Sequence, residues 1–326
     1  MRFDSPPLTE RQAEAHATAP AGRPVTKRMK VGVVLSSGGG RGVYAHTGFL
    51  LALENMGVEV VAITGCSAGA LVGGVYASGR DLQQWAHSIA NVHSQAYWTP
   101  DSWARFFWQM IIHKGRGYTG LSANKTAIEF IRNNLVAQTF EQCRVPFYSL
   151  AANLTQGAKT LFSSGELAPR MMASAAMPVL YRPVEIEGEL FCDGATIELS
   201  STEAICCQHS MDALIVHHAA ANRDGPEGLQ YALQQPWTLA EILNLLLYRR
   251  RPWYLNNQPI SFHRCRCGCG VPVVVLEPDL PELTWPLSQG GVHVQAVAQQ
   301  QAEVLLDPIL KHCGSTQKIW GSLDEH

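Results

Sequence analysis

What the 326-residue sequence lacks sets its first limits. Charge is scarce: Asp, Glu, Lys and Arg together make up 16 %, against about 25 % in a typical soluble domain. Neither sign dominates, the formal net charge being -2, so the basic stripe that a nucleic-acid partner demands is missing. The densest basic run, Arg249-Arg250-Arg251 with Arg264 and Arg266 nearby, reads as a solvated face. No uninterrupted apolar run reaches about 18 residues, so no transmembrane helix is expected and any membrane contact would be peripheral. Residues 1–29 contain no apolar h-region and read as a flexible leader. With an odd count of nine cysteines, this points to a reducing, cytoplasmic setting. The phosphate-loop pattern is absent. The dinucleotide fingerprint fails too, because Ser37 takes a required glycine position and Ile63-Thr64 stand where a ribose-binding acid belongs. No cofactor is expected.

What is present is a foldable α/β chain. Hydrophobic residues reach 46 %, enough for a sizeable core. With so little charge, part of the surface must be neutral or apolar, which suits a lipid-facing patch or a subunit contact. Val31 to Leu35 is a short β-branched run, followed by a glycine-rich turn from Ser36 to Gly42 and by helical spacing from Ala45 to Met56, stopped at Gly57. The pattern repeats with a strand over 58–64, a tight turn over 65–69 and a small-residue helix over 70–78. Strand, turn and helix twice in succession imply βαβ units, hence a mostly parallel central sheet flanked by helices. Further strands are predicted over 147–154, 159–163, 213–217 and 271–276, a hairpin over 184–191, and helices over 167–176, 239–248 and 292–311. No long linker divides the chain, so one domain is expected over 30–315, with core motifs in 30–220, their completion in 221–315 and a tail over 316–326.

Three short segments carry chemistry. Gly65-Cys66-Ser67-Ala68-Gly69 matches G-x-S-x-G between a strand and a helix. That context places a serine hydroxyl clear of the sheet on a strained turn. The glycines Gly65 and Gly69 leave room for neighbouring backbone. Ser36-Ser37-Gly38-Gly39-Gly40-Arg41-Gly42 can turn amide N–H groups inward around an anion, and an acyl oxyanion fits better than a phosphate. Asp193-Gly194-Ala195 ends the 184–191 hairpin; by itself it reads as an Asp-Gly turn. None of the twelve histidines stands in a spacing that singles it out as a base.

Taken in order, these segments resemble the patatin-like phospholipase family, as do Ala173-Ser174-Ala175-Ala176-Met177-Pro178 and the helix from His46 to Glu54. The resemblance covers about residues 30–220. It implies a three-layer α/β/α fold and hydrolysis of carboxylic esters of lipids through a Ser–Asp dyad without histidine. Ser67 is then the nucleophile and Asp193 the proton acceptor. Amides of Gly38, Gly39 and Gly40 form the oxyanion hole, supported by Arg41, Gly42, Gly65, Gly69 and Gly194. Ser37 departs from the family's usual glycine at the head of the oxyanion turn. Burial is expected to raise the Asp193 pKa above that of a free aspartate, about 3.9. An acyltransferase using the same dyad, or a non-catalytic lipid-binding regulator of the same fold, would carry the same motifs.

Two further segments invite alternatives. The aromatic run Trp98, Trp103, Phe106, Phe107 and Trp108 suits an acyl-chain site or lid, or plain core or a subunit contact. His263-Arg264-Cys265-Arg266-Cys267-Gly268-Cys269 gathers four potential ligands in seven residues. Its C-x-C-x-C alternation departs from structural zinc spacing, which draws on two places in the chain. An incidental thiol cluster is therefore expected, and no metal is assigned.

Overall fold

The computed structural model describes residues 28–220, 225–234, 252–283 and 290–312, with isolated helical positions at 238, 242 and 245. Strands are β1 (Lys30–Leu35), β2 (Glu59–Cys66), β3 (Gly120–Ser122), β4 (Phe147–Asn153), β5 (Ala158–Phe162), β6 (Val179–Tyr181), β7 (Val184–Ile186), β8 (Glu189–Asp193), β9 (Ala213–His217), β10 (Ile260–Arg264) and β11 (Pro272–Leu276). Helices are α1 (Gly39–Asn55), α2 (Ala68–Ala77), α3 (Leu82–Asn91), α4 (Trp103–Ile111), α5 (Lys125–Asn133), α6 (Leu167–Ala175), α7 (Glu203–Cys206), α8 (Gly225–Gln234) and α9 (Gly291–His312).

Nine strands form one sheet in the order β10-β11-β9-β1-β2-β4-β8-β7, with β5 also paired to β4. Its centre, β11 through β4, is parallel, and the antiparallel pairs lie towards the edges. The central strands read as continuous apolar runs because both faces are covered. In β1 every residue after Lys30 is buried, and β9 is buried throughout. α1 packs against α9 so closely that a Cβ on Gly48 would stand 2.2 Å from the Gln295 carbonyl oxygen.

Most sequence expectations fall within a residue or two of the observed elements. Others differ. The edge strand β10, paired antiparallel to β11, went unread, as did the short parallel pair of β3 and β6 and the helices α7 and α8. α1 begins at Gly39 rather than Ala45. Glycine is a poor helix former, so Gly39, Gly40 and Gly42 read as turn. In the fold they form the first helical turn, where a Cβ on Gly42 would press on the Ala68 Cβ at 3.1 Å. The helix expected over 239–248 lies almost wholly outside the described residues.

Candidate active site at the carboxyl edge of the sheet

β1 and β2 both deliver a turn and a helix at their carboxyl ends, the edge where open α/β sheets hold their ligands. Ser67 follows β2 directly and caps α2 with φ 53° and ψ -117°, a backbone conformation that strains any residue with a Cβ. Its neighbours explain how the strain is held. A Cβ on Gly65 would lie 2.3 Å from the Gly69 carbonyl oxygen, and one on Gly69 2.3 Å from that of Leu35. Only glycine lets β1, β2 and α2 approach so closely. The Ser67 amide donates to the Ser174 hydroxyl at 2.9 Å, and that hydroxyl donates to the Leu150 carbonyl.

Strand register brings the carboxylate to this turn. Cys66 pairs with Leu150 at the end of β2. On the next residue of β4, Ala151 pairs with Asp193 at the end of β8. β2 and β8 therefore meet along β4 about one residue rise, about 3.3 Å, apart. The Ser67 hydroxyl donates to Asp193 Oδ2 at 2.7 Å, while Oδ1 accepts the Ala195 amide at 2.9 Å. Asp193 is wholly buried and Ser67 nearly so, at 5 % exposure. Burial pushes the Asp193 pKa from 3.8 up to about 6, against the two hydrogen bonds that favour the carboxylate. Gly194 is pinned here as well, since a Cβ would meet the Leu150 carbonyl oxygen at 2.3 Å.

The glycine turn flanks this pair. Gly38 is the N-cap of α1, and the Gly42 amide donates to its carbonyl at 2.8 Å. Gly39 and Gly40 thus belong to a first helical turn, whose amides have no carbonyl one turn back and face outward with the positive end of the helix dipole. Gly38, Gly39 and Gly40 reach the surface, so the turn opens to solvent beside the buried Ser67–Asp193 pair. Ser37, which replaces the expected glycine, has no positive φ, and its amide donates to the Leu199 carbonyl at 2.8 Å. The serine is accommodated without strain. Arg41 reaches the Ala219 and Leu280 carbonyls at 3.4 and 3.5 Å, which ties the glycine turn to its surroundings. Cys66 is buried, and burial raises its thiol pKa well above the usual range, so it does not compete as a nucleophile.

Sequence reasoning missed three supporting side chains. Ser174 was seen only as part of a motif. The A-S-x-A-x-P block carried that signal, and the role is to hold the elbow amide. His46 and His217 are fully buried beneath the glycine turn. His46 Nε2 lies 2.8 Å from the Ser36 carbonyl, which can only accept, so Nε2 carries the proton. His46 Nδ1 must then accept from His217 Nδ1 at 2.8 Å, and His217 Nε2 is left as a lone pair, stacked with its ring on Phe49. Burial lowers the pKa of both, that of His46 to about 4. They are neutral struts of the turn. Among the described residues no histidine hydrogen-bonds to Ser67 or Asp193.

Comparison with known proteins finds similarity over the same part of the chain. The sequence model of the Patatin family, described as patatin-like phospholipase, matches residues 33–201. An uncharacterized NTE family protein of Mycobacterium tuberculosis strain H37Rv is 32 % identical over 173 residues, which are 52 % of this chain and 43 % of the relative. Lysophospholipase NTE1 of Cryptococcus neoformans is 25 % identical over 222 residues, covering 68 % of this chain and 13 % of that protein. The chain thus spans less than half the length of these relatives. The human GIVD cytosolic phospholipase A2 shares the fold at 12 % identity, with a TM-score of 0.51 over 89 % of this chain and 60 % of that one.

Proposed function

The chain belongs to the patatin-like phospholipase family, and on that premise we propose that it is a serine lipid-acyl hydrolase working through a Ser67–Asp193 dyad. The observation that carries the reading is the 2.7 Å hydrogen bond from the Ser67 hydroxyl to Asp193 Oδ2 at a strained, buried turn. In the reaction Ser67 Oγ attacks an ester carbonyl while Asp193 takes its proton. The amides of Gly38, Gly39 and Gly40 receive the oxyanion, each such donor contributing about 3 kcal/mol to the transition state. Asp193 passes the proton to the leaving alcohol, then activates water against the acyl-enzyme. A carboxylate with a pKa near 6 is a stronger base than a free aspartate and still ionised at neutral pH.

The lipid substrate class comes with the family, and α4 supports it. Trp103, Phe107, Trp108, Ile111 and Ile112 are all exposed, Trp103 at 70 %. Such a patch marks an interaction surface, and tryptophan favours a membrane interface. Among the described residues no helix is long and apolar enough to cross a membrane, which fits peripheral contact with a lipid surface. We read residues 30–315 as one catalytic unit, because α9 packs on α1 and β11 pairs with β9.

The test is hydrolysis of short-chain p-nitrophenyl esters and of a panel of lysophospholipids. Ser67→Ala should lose activity by on the order of 10⁴-fold or more, and a fluorophosphonate probe should label the parent protein at Ser67 and not the variant. A variant hydrolysing at the parent rate would end this reading.

A further inference from the structure

Five cysteines that the dyad does not use converge at the opposite edge of the sheet. Cys206 ends α7 and Cys207 follows it, ahead of β9. Cys265, Cys267 and Cys269 lie in the connection from β10 to β11. β9 and β11 run parallel to β1, so the segments leading into them sit at the amino ends of the strands, away from Ser67. The sulfurs of Cys206, Cys207, Cys267 and Cys269 all lie within 4.8 Å of one another. Cys206 and Cys207 are 3.7 Å apart, Cys206 and Cys267 3.2 Å, and Cys207 and Cys267 2.9 Å. Around one tetrahedral zinc ion with bonds of about 2.3 Å, ligand sulfurs stand about 3.8 Å apart. The four thiols bracket that span, from 2.9 Å up to at most 4.8 Å, and adjustments of about 1 Å or less bring them to bonding distance.

We propose that Cys206, Cys207, Cys267 and Cys269 form a structural zinc site. The donor set is all sulfur, which suits a thiophilic ion and excludes calcium and magnesium, ions that take oxygen ligands. Four sulfurs confined to 4.8 Å enclose a single ion, whereas an iron–sulfur cluster needs its thiolates spread around an inorganic core. The ligands come from two places in the chain, as closed structural zinc sites require; the sequence alone showed only one. Positive φ at Gly268 and Gly270, 80° and 74°, lets the Cys267-Gly268-Cys269-Gly270 segment curl its two sulfurs to one side. Cys265 is buried behind them, 3.2 Å from Cys206 and 3.1 Å from Cys267, close enough to hydrogen-bond to coordinated sulfur. Arg266, between Cys265 and Cys267 in the chain, is stacked 4.7 Å over Trp253. Binding releases the thiol protons and joins α7 to the β10–β11 edge across 60 residues of chain, so its effect is on stability.

The test uses the full chain purified in reductant, equilibrated with zinc and passed into metal-free buffer. Elemental analysis should find about one zinc per chain. Cobalt should replace it with a thiolate charge-transfer band and the visible bands of a tetrahedral ion. Cys267→Ser with Cys269→Ser should abolish both signals, and a strong chelator should lower the melting temperature of the parent protein but not of the variant. If the variant fails to fold, zinc content and the cobalt spectrum of the parent protein still decide. Zinc below about a tenth of an equivalent, with all these thiols open to a thiol reagent, overturns the proposal. So does a Cys207–Cys267 disulfide found by peptide mapping under reductant.

Discussion

Helices α2 and α4 are both short, apolar and almost without charge, and they end in opposite environments. Every residue of α2 except Leu71 is buried; no residue of α4 is. The difference lies in side-chain size. α2 reads Ala-Gly-Ala-Leu-Val-Gly-Gly-Val-Tyr-Ala, and its small residues let the helix axis drop onto the sheet. A Cβ on Gly74 would strike the Met171 sulfur at 2.5 Å. α4 reads Trp-Ala-Arg-Phe-Phe-Trp-Gln-Met-Ile, too bulky for such an approach. Its neighbourhood is tied down beside it, by Arg182 to Asp101 at 2.6 Å and by the Tyr181 hydroxyl to the Tyr97 carbonyl at 2.9 Å. One helix holds a strained serine rigidly; the other displays aromatics to solvent. Damage near α2 should therefore destroy chemistry on every substrate, and damage to α4 should change only what happens at a lipid surface.

The largest effect after loss of the serine itself is expected at the carboxylate. Asp193→Asn should lower kcat on soluble esters by on the order of 10³-fold. In the parent protein kcat/KM should rise with pH through about 6 and stay level above it, because the base must be ionised. The stability sign is opposite. The carboxyl titrates near 3.8 unfolded and near 6 folded. Between these values the folded state holds the extra proton, so stability falls as pH rises. Asp193→Asn cannot titrate, so its melting temperature relative to the parent should climb from about pH 4 to about pH 7. A flat difference would show that Asp193 is not the buried acid described above.

Gly69→Ala asks whether α2 must touch β1. The new Cβ would stand 2.3 Å from the Leu35 carbonyl oxygen, an overlap that backbone must relieve. It should cost about 3 kcal/mol or more of stability in denaturant unfolding, and soluble-ester activity should vanish with the elbow geometry. A smaller loss is expected from Ser174→Ala. The Ser67 amide and the Leu150 carbonyl would lose their shared hydroxyl, at about 1–3 kcal/mol. Turnover should fall about tenfold, for about 1.4 kcal/mol of transition-state stabilisation, with KM little changed. A Ser174→Ala enzyme at full rate would mean that the elbow holds itself.

Local signals in the chain account for part of this architecture and long-range pairing for the rest. β1, β2 and β9 were legible because buried parallel strands are short apolar runs between turns. The elbow was legible because its glycines and serine are consecutive. The start of α1 was not, since glycine propensity is overridden there by the close contact of Gly42 with Ala68. Nor was the meeting of β2 and β8 on adjacent residues of β4, because register between distant strands leaves no mark within either. The same holds for Cys206 and Cys207. They are an unremarked pair in sequence, and only folding brings them to Cys267 and Cys269.

The smallest effect on chemistry, and the sharpest test of the contrast, is expected from α4. Trp103, Phe107 and Trp108 are exposed at 70, 52 and 58 %, so replacing all three by serine removes little packing and should shift the melting temperature hardly at all. Hydrolysis of a soluble short-chain ester should stay within about twofold of the parent. Partition onto phosphatidylcholine vesicles should fall severalfold, since each aromatic withdrawn from the interface forfeits apolar burial worth about 25 cal/mol per Å², and hydrolysis of vesicle-borne lipid should fall with it. If soluble-ester and vesicle rates instead drop together, α4 contributes to the acyl site itself, and the separation drawn here between a rigid reactive helix and a displayed aromatic one fails.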